Sequence, residues 1–316
     1  MSHRLQLAHI EQAMQIIDPV FLHTPQYRAE ALEPILGCRL LVKIETLNPI
    51  RSFKGRGASY LIAQMPAQTT LVCASAGNFG QAMAYACRAG GLRLIVYAGV
   101  HANPLKVERM RALGADVRLQ GADFDAAKSA AKQFAVETGL QMVEDSLEPA
   151  TGEGAGTIGI ELLRWPEPID ALLVALGNGA LLTGIGRWVK THAPHTTMIG
   201  VAAQGAPAMV DSWRAGRIIE HAQINTIADG IGVRIPVPEA VADMMGTVDD
   251  ALLVSDESIL AAMKLLHQHL GLVVEPSGAV GVAALLEQPG RFKDRLVATV
   301  ICGGNLTPEQ MRTWLG

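Results

Sequence analysis

The stretch ALLVALGNGALLTGIG, residues 171–186, decides the fold. Its first half, ALLVALG, is a short continuous apolar run of the kind a buried strand shows. Gly177, Asn178 and Gly179 turn the chain, and Ala180, Leu181 and Leu182 open a helix. A strand that passes through glycines straight into a helix is the repeating step of an α/β domain. Glycines let backbone approach an anion while the first free N–H groups of the helix point at it, so phosphate is the natural guest. The spacing is neither a Walker A loop nor a full Rossmann fingerprint, since Leu182 stands where the third glycine is required. Two glycines at such a turn also have a purely steric use, and the loop alone leaves both readings open.

The same alternation extends in both directions. Strands are predicted at 40–45, 70–75, 92–98, 115–120, 141–145, 197–203, 251–255 and 295–303, with Ala-rich helical patterns between them. The expected fold class is α/β with mostly parallel sheets flanked by helices. No linker or fixed-period repeat marks a boundary, which leaves room for a discontinuous two-domain chain. At 316 residues, 49% hydrophobic and 18% charged, the composition is that of a globular protein with ample core. Aromatics make up only 4%, so that core must be aliphatic. A net charge of −4 provides no basic field for nucleic acid or anionic lipid. The opening MSHRLQLAHIEQAMQII is amphipathic rather than signal-like, and no apolar run reaches the roughly 18 residues of a membrane span. Cys38, Cys73, Cys87 and Cys302 lack metal-ligand spacing and read as reduced thiols in a cytoplasmic protein.

Three further stretches carry chemistry. Ser75-Ala76-Gly77-Asn78-Phe79 ends a strand with a hydroxyl, an amide and backbone donors that suit a carboxylate, although Ser and Asn also cap helices. Cys302, in ICGGN, ends the last strand and reads either as a cavity-facing group or as a buried structural thiol. Lys54 lies in NPIRSFKGRGA, between Phe53 and Gly55. A lysine held in a partly apolar pocket becomes a nucleophile toward carbonyls, whereas most lysines are solvated.

The order KIETLNPIRSFKGRGA, CASAGNFGQAMAYA, GEGAGTIGIEL, LGNGALLTGIG, TIADGIGV, VEPSGAVGVAAL, ICGGN runs from about His23 to Asn305. It resembles the pyridoxal-phosphate enzymes of fold type II, the tryptophan-synthase-β-like group, and within them the serine/threonine dehydratase branch. The resemblance implies two α/β domains with pyridoxal 5′-phosphate between them. The small domain would be 49–148, the large one 1–48 with 149–316, and the assembly a homodimer. It implies that Lys54 holds the cofactor as a Schiff base and, once freed, removes the substrate Cα proton. Phe53 would pack near the cofactor ring, Asn78 would bond its 3′-oxygen, and Gly177, Asn178, Gly179, Ala180 and Leu181 would hold the phosphate. Cys302 would face the pyridine nitrogen, with Gly230 and Glu275 lining the other side. Ser75, Ala76, Gly77, Asn78 and Phe79 would receive the substrate. The implied reaction is α,β-elimination of a serine- or threonine-like β-hydroxy amino acid to a 2-oxo acid and ammonia, with the cofactor phosphate as acid for the departing hydroxyl.

Departures from the family pattern refine this. Ala76 replaces the serine that racemases carry, which favours elimination over racemisation. Gly55 replaces the Asp of threonine-synthase motifs, which weighs against replacement chemistry. Ala202-Ala203 stands where cation-dependent members have Glu-Pro, so no metal site is expected. Phe79 makes the substrate side more apolar than the usual histidine would. Ala155 is expected in a loop before TIGIEL, and Arg51 reads as a surface residue. The chain stops soon after ICGGN, too soon for a regulatory domain. A non-catalytic relative that keeps the fold is the alternative from another class, opposed by the retained Lys54.

Overall fold

The computed structural model describes residues 3–316. Its strands are β1 (Gln26–Arg28), β2 (Arg39–Ile44), β3 (Thr70–Ala74), β4 (Arg93–Ala98), β5 (Asp116–Leu119), β6 (Gln141–Met142), β7 (Ala171–Ala175), β8 (Thr197–Ala203), β9 (Asp250–Val254) and β10 (Leu296–Ile301). They form a six-stranded sheet, β1-β2-β10-β7-β8-β9, and a four-stranded sheet, β5-β4-β3-β6. Every pairing is parallel except β1 with β2. The nine predicted strands are all present, within a few residues at each end. The short β1 is an addition.

Parallel strands covered by helices on both faces must be apolar along their whole length. ALLVA of β7 and LVATVI of β10 are accordingly buried at every position. Their shared direction also gathers the loops at their carboxyl ends along one edge, the place where open α/β sheets bind ligands. β2 and β10 end level, Ile44 opposite Ile301. The segments that follow stay side by side: Phe53 N donates to Cys302 O at 3.0 Å and Gly304 N to Arg51 O at 3.0 Å. Lys54 is thereby delivered beside Cys302.

One expectation is overturned. Ala155 lies within a continuous helix, Pro149–Leu162, and not in a loop. Gly152, Gly154 and Gly156 lower intrinsic helix propensity, which is why the segment reads as a loop. They are tolerated because neighbouring helices come too close for a side chain. A Cβ on Gly154 would lie 2.7 Å from Gly57 Cα, and one on Gly184 would lie 2.0 Å from Gly152 O. The helix Lys54–Ala63 and the helix Ala180–His192 are thus both locked against Pro149–Leu162. Among the described residues no helix is long and apolar enough to cross a membrane.

Candidate active site

Lys54 is the first residue of its helix, and Ser52 Oγ accepts its backbone N–H at 3.3 Å. The positive end of a helix dipole repels an ammonium at that point. Asp145 offsets the repulsion, its Oδ2 accepting from Lys54 Nζ at 2.5 Å. The Phe53 ring lies 4.7 Å from the same nitrogen. Phe53, Gly57, Ala58, Phe79 and Thr151 line a small cleft around the pair. Asp145 Oδ1 is buried and has no hydrogen-bond partner among the described residues.

Two residues on, Arg56 is fully buried. Its guanidinium donates to Glu45 at 2.8 Å and to Glu161 at 2.7 Å, and to the hydroxyls of Thr157 and Thr24. Lys43 Nζ adds a 2.5 Å pair with Glu161. Burial alone would push the Glu161 carboxyl up, but Arg56 and Lys43 outweigh it and hold the group at about 2. This network pins the start of the Lys54 helix to β2 and to the helix 149–162.

A second chain of contacts joins the two sheets. Ser75 Oγ accepts from Gly77 N and Gly80 N, so it caps the helix Asn78–Gly90. The N–H groups of Ala76, Asn78 and Phe79 donate to no protein acceptor among the described residues, which leaves an open anion cradle at that helix start. Asn78 Nδ2 donates to Glu275 Oε1 at 2.6 Å, and its Oδ1 accepts from Asn305 Nδ2 at 2.9 Å. Burial pushes the Glu275 carboxyl above its ordinary value; Lys106 and the bonds from Asn305 and Asn78 pull the other way. Lys106 itself reaches across to Asp229 at 2.8 Å, and Arg109 to Asn305 at 2.6 Å.

The glycine loop supplies a second cradle. Gly177, Asn178, Gly179 and Leu181 have N–H groups with no protein acceptor among the described residues, while Ala180 N donates to Ser146 Oγ at 3.1 Å. Gly179 has φ 99, open to glycine at little cost. Beside this loop a Cβ on Gly177 would lie 3.2 Å from Gly230 O, and one on Gly230 would lie 2.7 Å from Ser277 Oγ. Ser277 Oγ is buried without a partner among the described residues, and the Ser277 carbonyl accepts from Cys302 Sγ at 3.5 Å. Burial pushes the Cys302 thiol up, and Glu275 adds to the effect, so it is neutral.

The residues therefore fit a phosphate-bearing pyridine aldehyde. There are free donors for a phosphate, an amine for the aldehyde, and a neutral thiol beside an unpartnered hydroxyl for the ring. Lys54 follows β2, Ser75 to Phe79 follow β3, Gly177 to Leu181 follow β7 and Cys302 follows β10, with Gly230 and Glu275 in the segments against them. Asp145, Ser146, Ser277 and Arg56 were not singled out. Asn305 appeared only as the end of a motif, and its three side-chain bonds are what couple Ile50, Asn78 and Arg109. Arg51 is exposed, with φ 51. No cluster of three or more His, Cys, Asp or Glu side chains able to hold a metal is present among the described residues.

Comparison with known proteins agrees with this geometry. The family model described as pyridoxal-phosphate dependent enzyme matches residues 17–303. A biosynthetic L-threonine dehydratase of Halalkalibacterium halodurans is 30% identical over 311 residues, covering 96% of this chain and 74% of that protein. The processed form of threonine deaminase isoform 2 from Solanum lycopersicum superposes with a TM-score of 0.88 at 28% identity, over 99% of this chain and 90% of that one. Maize serine racemase superposes with a TM-score of 0.91 at 27% identity, over 98% and 96%. The chain belongs to the pyridoxal-phosphate dependent enzyme family of fold type II, and to its serine/threonine dehydratase-like branch.

Proposed function

We propose that the protein is an ammonia-lyase that converts a β-hydroxy amino acid, with serine and threonine as first candidates, to a 2-oxo acid and ammonia. The observation that carries the reading is Lys54, whose amine stands in a cleft between two sets of unused backbone donors. Bound at Lys54, pyridoxal 5′-phosphate supplies the electron sink for the charge left at Cα. Gly177, Asn178, Gly179 and Leu181 would hold its phosphate, joined by Ala180 once its N–H leaves Ser146 Oγ, while Phe53 would pack by its ring and Asn78 would bond its 3′-oxygen. Cys302 would face the ring nitrogen as a neutral group, and Gly230 and Glu275 would line the other side. Ser75, Ala76, Gly77, Asn78 and Phe79 receive the substrate carboxylate at the helix start, orienting Cα toward Lys54 Nζ, which removes the proton.

Two features support elimination over its rivals. Ala76 offers no hydroxyl for a second base on the opposite face, as two-base racemisation requires. Gly55 faces the Phe21 ring, with only 2.2 Å to the place a Cβ would occupy, so the Asp of threonine-synthase motifs has no room. Assay of 2-oxo acid across a panel of β-hydroxy amino acids, beside chiral analysis and product analysis with phospho- and acetyl-activated substrates, tests the reading. Oxo acid from at least one hydroxy substrate is expected. A protein that only racemises, or only exchanges the β-substituent, would overturn it.

The same reading includes a small unit, 49–148, around β3 to β6, and a large one, 1–48 with 149–316, around the other strands. Limited proteolysis near residues 48 and 148 tests it. A cytoplasmic homodimer is part of the reading, and sedimentation measures the oligomer.

A further inference from the structure

We propose that Asp145 is a second proton-carrying residue of this site. It takes from Lys54 the proton that came off Cα and delivers it to the departing β-hydroxyl. The inference rests on the lyase reading and gives Asp145 the role of acid that the family resemblance gives to the cofactor phosphate.

Asp145 already shares a hydrogen bond of 2.5 Å with Lys54 Nζ. Its other oxygen is buried without a partner beside Phe53, Phe79 and Thr151. An unmatched carboxylate oxygen inside a cleft is unfavourable, because it has given up water and gained no donor. A substrate hydroxyl removes that cost. The groups around Asp145 are Lys54 from its helix, Ser146 next to it and Thr151 from the helix 149–162. Beyond Lys54 lies the neutral Cys302 thiol, while the neighbouring Glu144 is held by Lys128 and Lys132.

The proton balance closes within the site. The Cα–H bond breaks and its proton converts the Lys54 amine to ammonium. A carboxylate, near 4 in water, does not hold a proton against an alkylammonium, near 10, so Asp145 carries the proton without resting protonated. The proton crosses from Lys54 Nζ to Asp145 Oδ2 and on to the hydroxyl oxygen in concert with cleavage of the Cβ–O bond, whose electron pair leaves with that oxygen. Water departs as Cα=Cβ forms, and Lys54 amine and Asp145 carboxylate are restored.

The test uses Asp145→Asn holoenzyme with two substrates that differ in leaving group. A β-hydroxy substrate needs the proton, whereas 3-chloroalanine loses chloride without one. The expected result is a fall of about 100-fold or more in oxo-acid formation from the hydroxy substrate. Chloride loss and Cα–deuterium exchange should fall by less than about tenfold, the rate factor of a single ~1.36 kcal/mol change in barrier. Independently of turnover, the visible band of the Lys54-bound cofactor should change at a pH about one unit lower, because a carboxylate beside that nitrogen favours its protonated form. Equal losses on both substrates, or no loss on either, would overturn the relay. Asp145→Ser repeats the comparison should the amide variant lose its band. Wild-type protein that releases chloride but never dehydrates a hydroxy substrate would instead sink the lyase reading, leaving the band titration to judge Asp145.

Discussion

Lys54 and Arg56 are two cations on one turn of one helix, and they are held in opposite ways. Arg56 has no exposed surface, two carboxylates and two hydroxyls, and its pairs are matched by a neighbouring Lys43. Lys54 has one carboxylate partner and keeps 17% of its side-chain surface exposed. A buried charge with every bond satisfied is fixed in place. A cation with a single partner, and with an idle oxygen on that partner, can exchange it. The sequence spacing of two thus separates a structural anchor from a reactive amine.

The comparison breaks most visibly at Lys54. Lys54→Ala should abolish the visible cofactor band and all turnover while lowering the thermal midpoint of the apoprotein far less than Arg56→Met does, since only one partly exposed carboxylate is left unpaired. Survival of the full band would remove Lys54 from the site. Arg56→Met should do the reverse, with its damage in stability. It leaves Glu45 and Glu161 buried beside a single remaining lysine, at a cost of about 3–5 kcal/mol read as a lower urea midpoint. A midpoint within about 1 kcal/mol of wild type would show that the network is not an anchor.

A pH series sharpens the same contrast. The native Glu161 carboxyl sits at about 2, below its ordinary 4.5. Its contribution to stability is therefore complete above about 4.5 and is lost as pH falls toward 2. Urea midpoints measured from pH 6 downward should drop through that window, and Glu161→Gln should flatten the drop. The smallest effect is expected at the third cation of the segment, Arg51, whose φ of 51 strains a non-glycine residue. Relief of about 1–2 kcal/mol in Arg51→Gly exceeds the roughly 0.4–1 kcal/mol of extra unfolded-chain freedom, so stability should rise by about 1 kcal/mol or less. A loss of stability would reveal a contact made by the Arg51 side chain.

Strands were legible because buried parallel strands are unbroken aliphatic runs. β1 was not, being three residues, QYR, on an antiparallel edge. The start of the helix at Pro149 was hidden because its glycines weaken local propensity, and the close contacts that reward them involve residues 57 and 184. At the site, glycine-bearing loops announced themselves. Asp145 did not, since VEDSLEP looks like any acidic loop and its partner lies 91 positions away. Charge pairing between distant segments is a property of the fold, and no local pattern encodes it.

The glycine contacts among the helices 54–63, 149–162 and 180–192 have a metrical consequence. One helix begins at the amine and another begins at the phosphate donors, and the middle helix bolts them together through backbone touching backbone. The interval between the Lys54 backbone and the phosphate donors is thereby a fixed gauge set by main chain, with the Lys54 stem as the one adjustable part. A phosphorylated aldehyde of another length would engage one post and miss the other. The donors after Ser75 belong to the other sheet and lie outside this gauge, held to it by side chains, Asn78 to Glu275 and Asn305, and not by backbone against backbone.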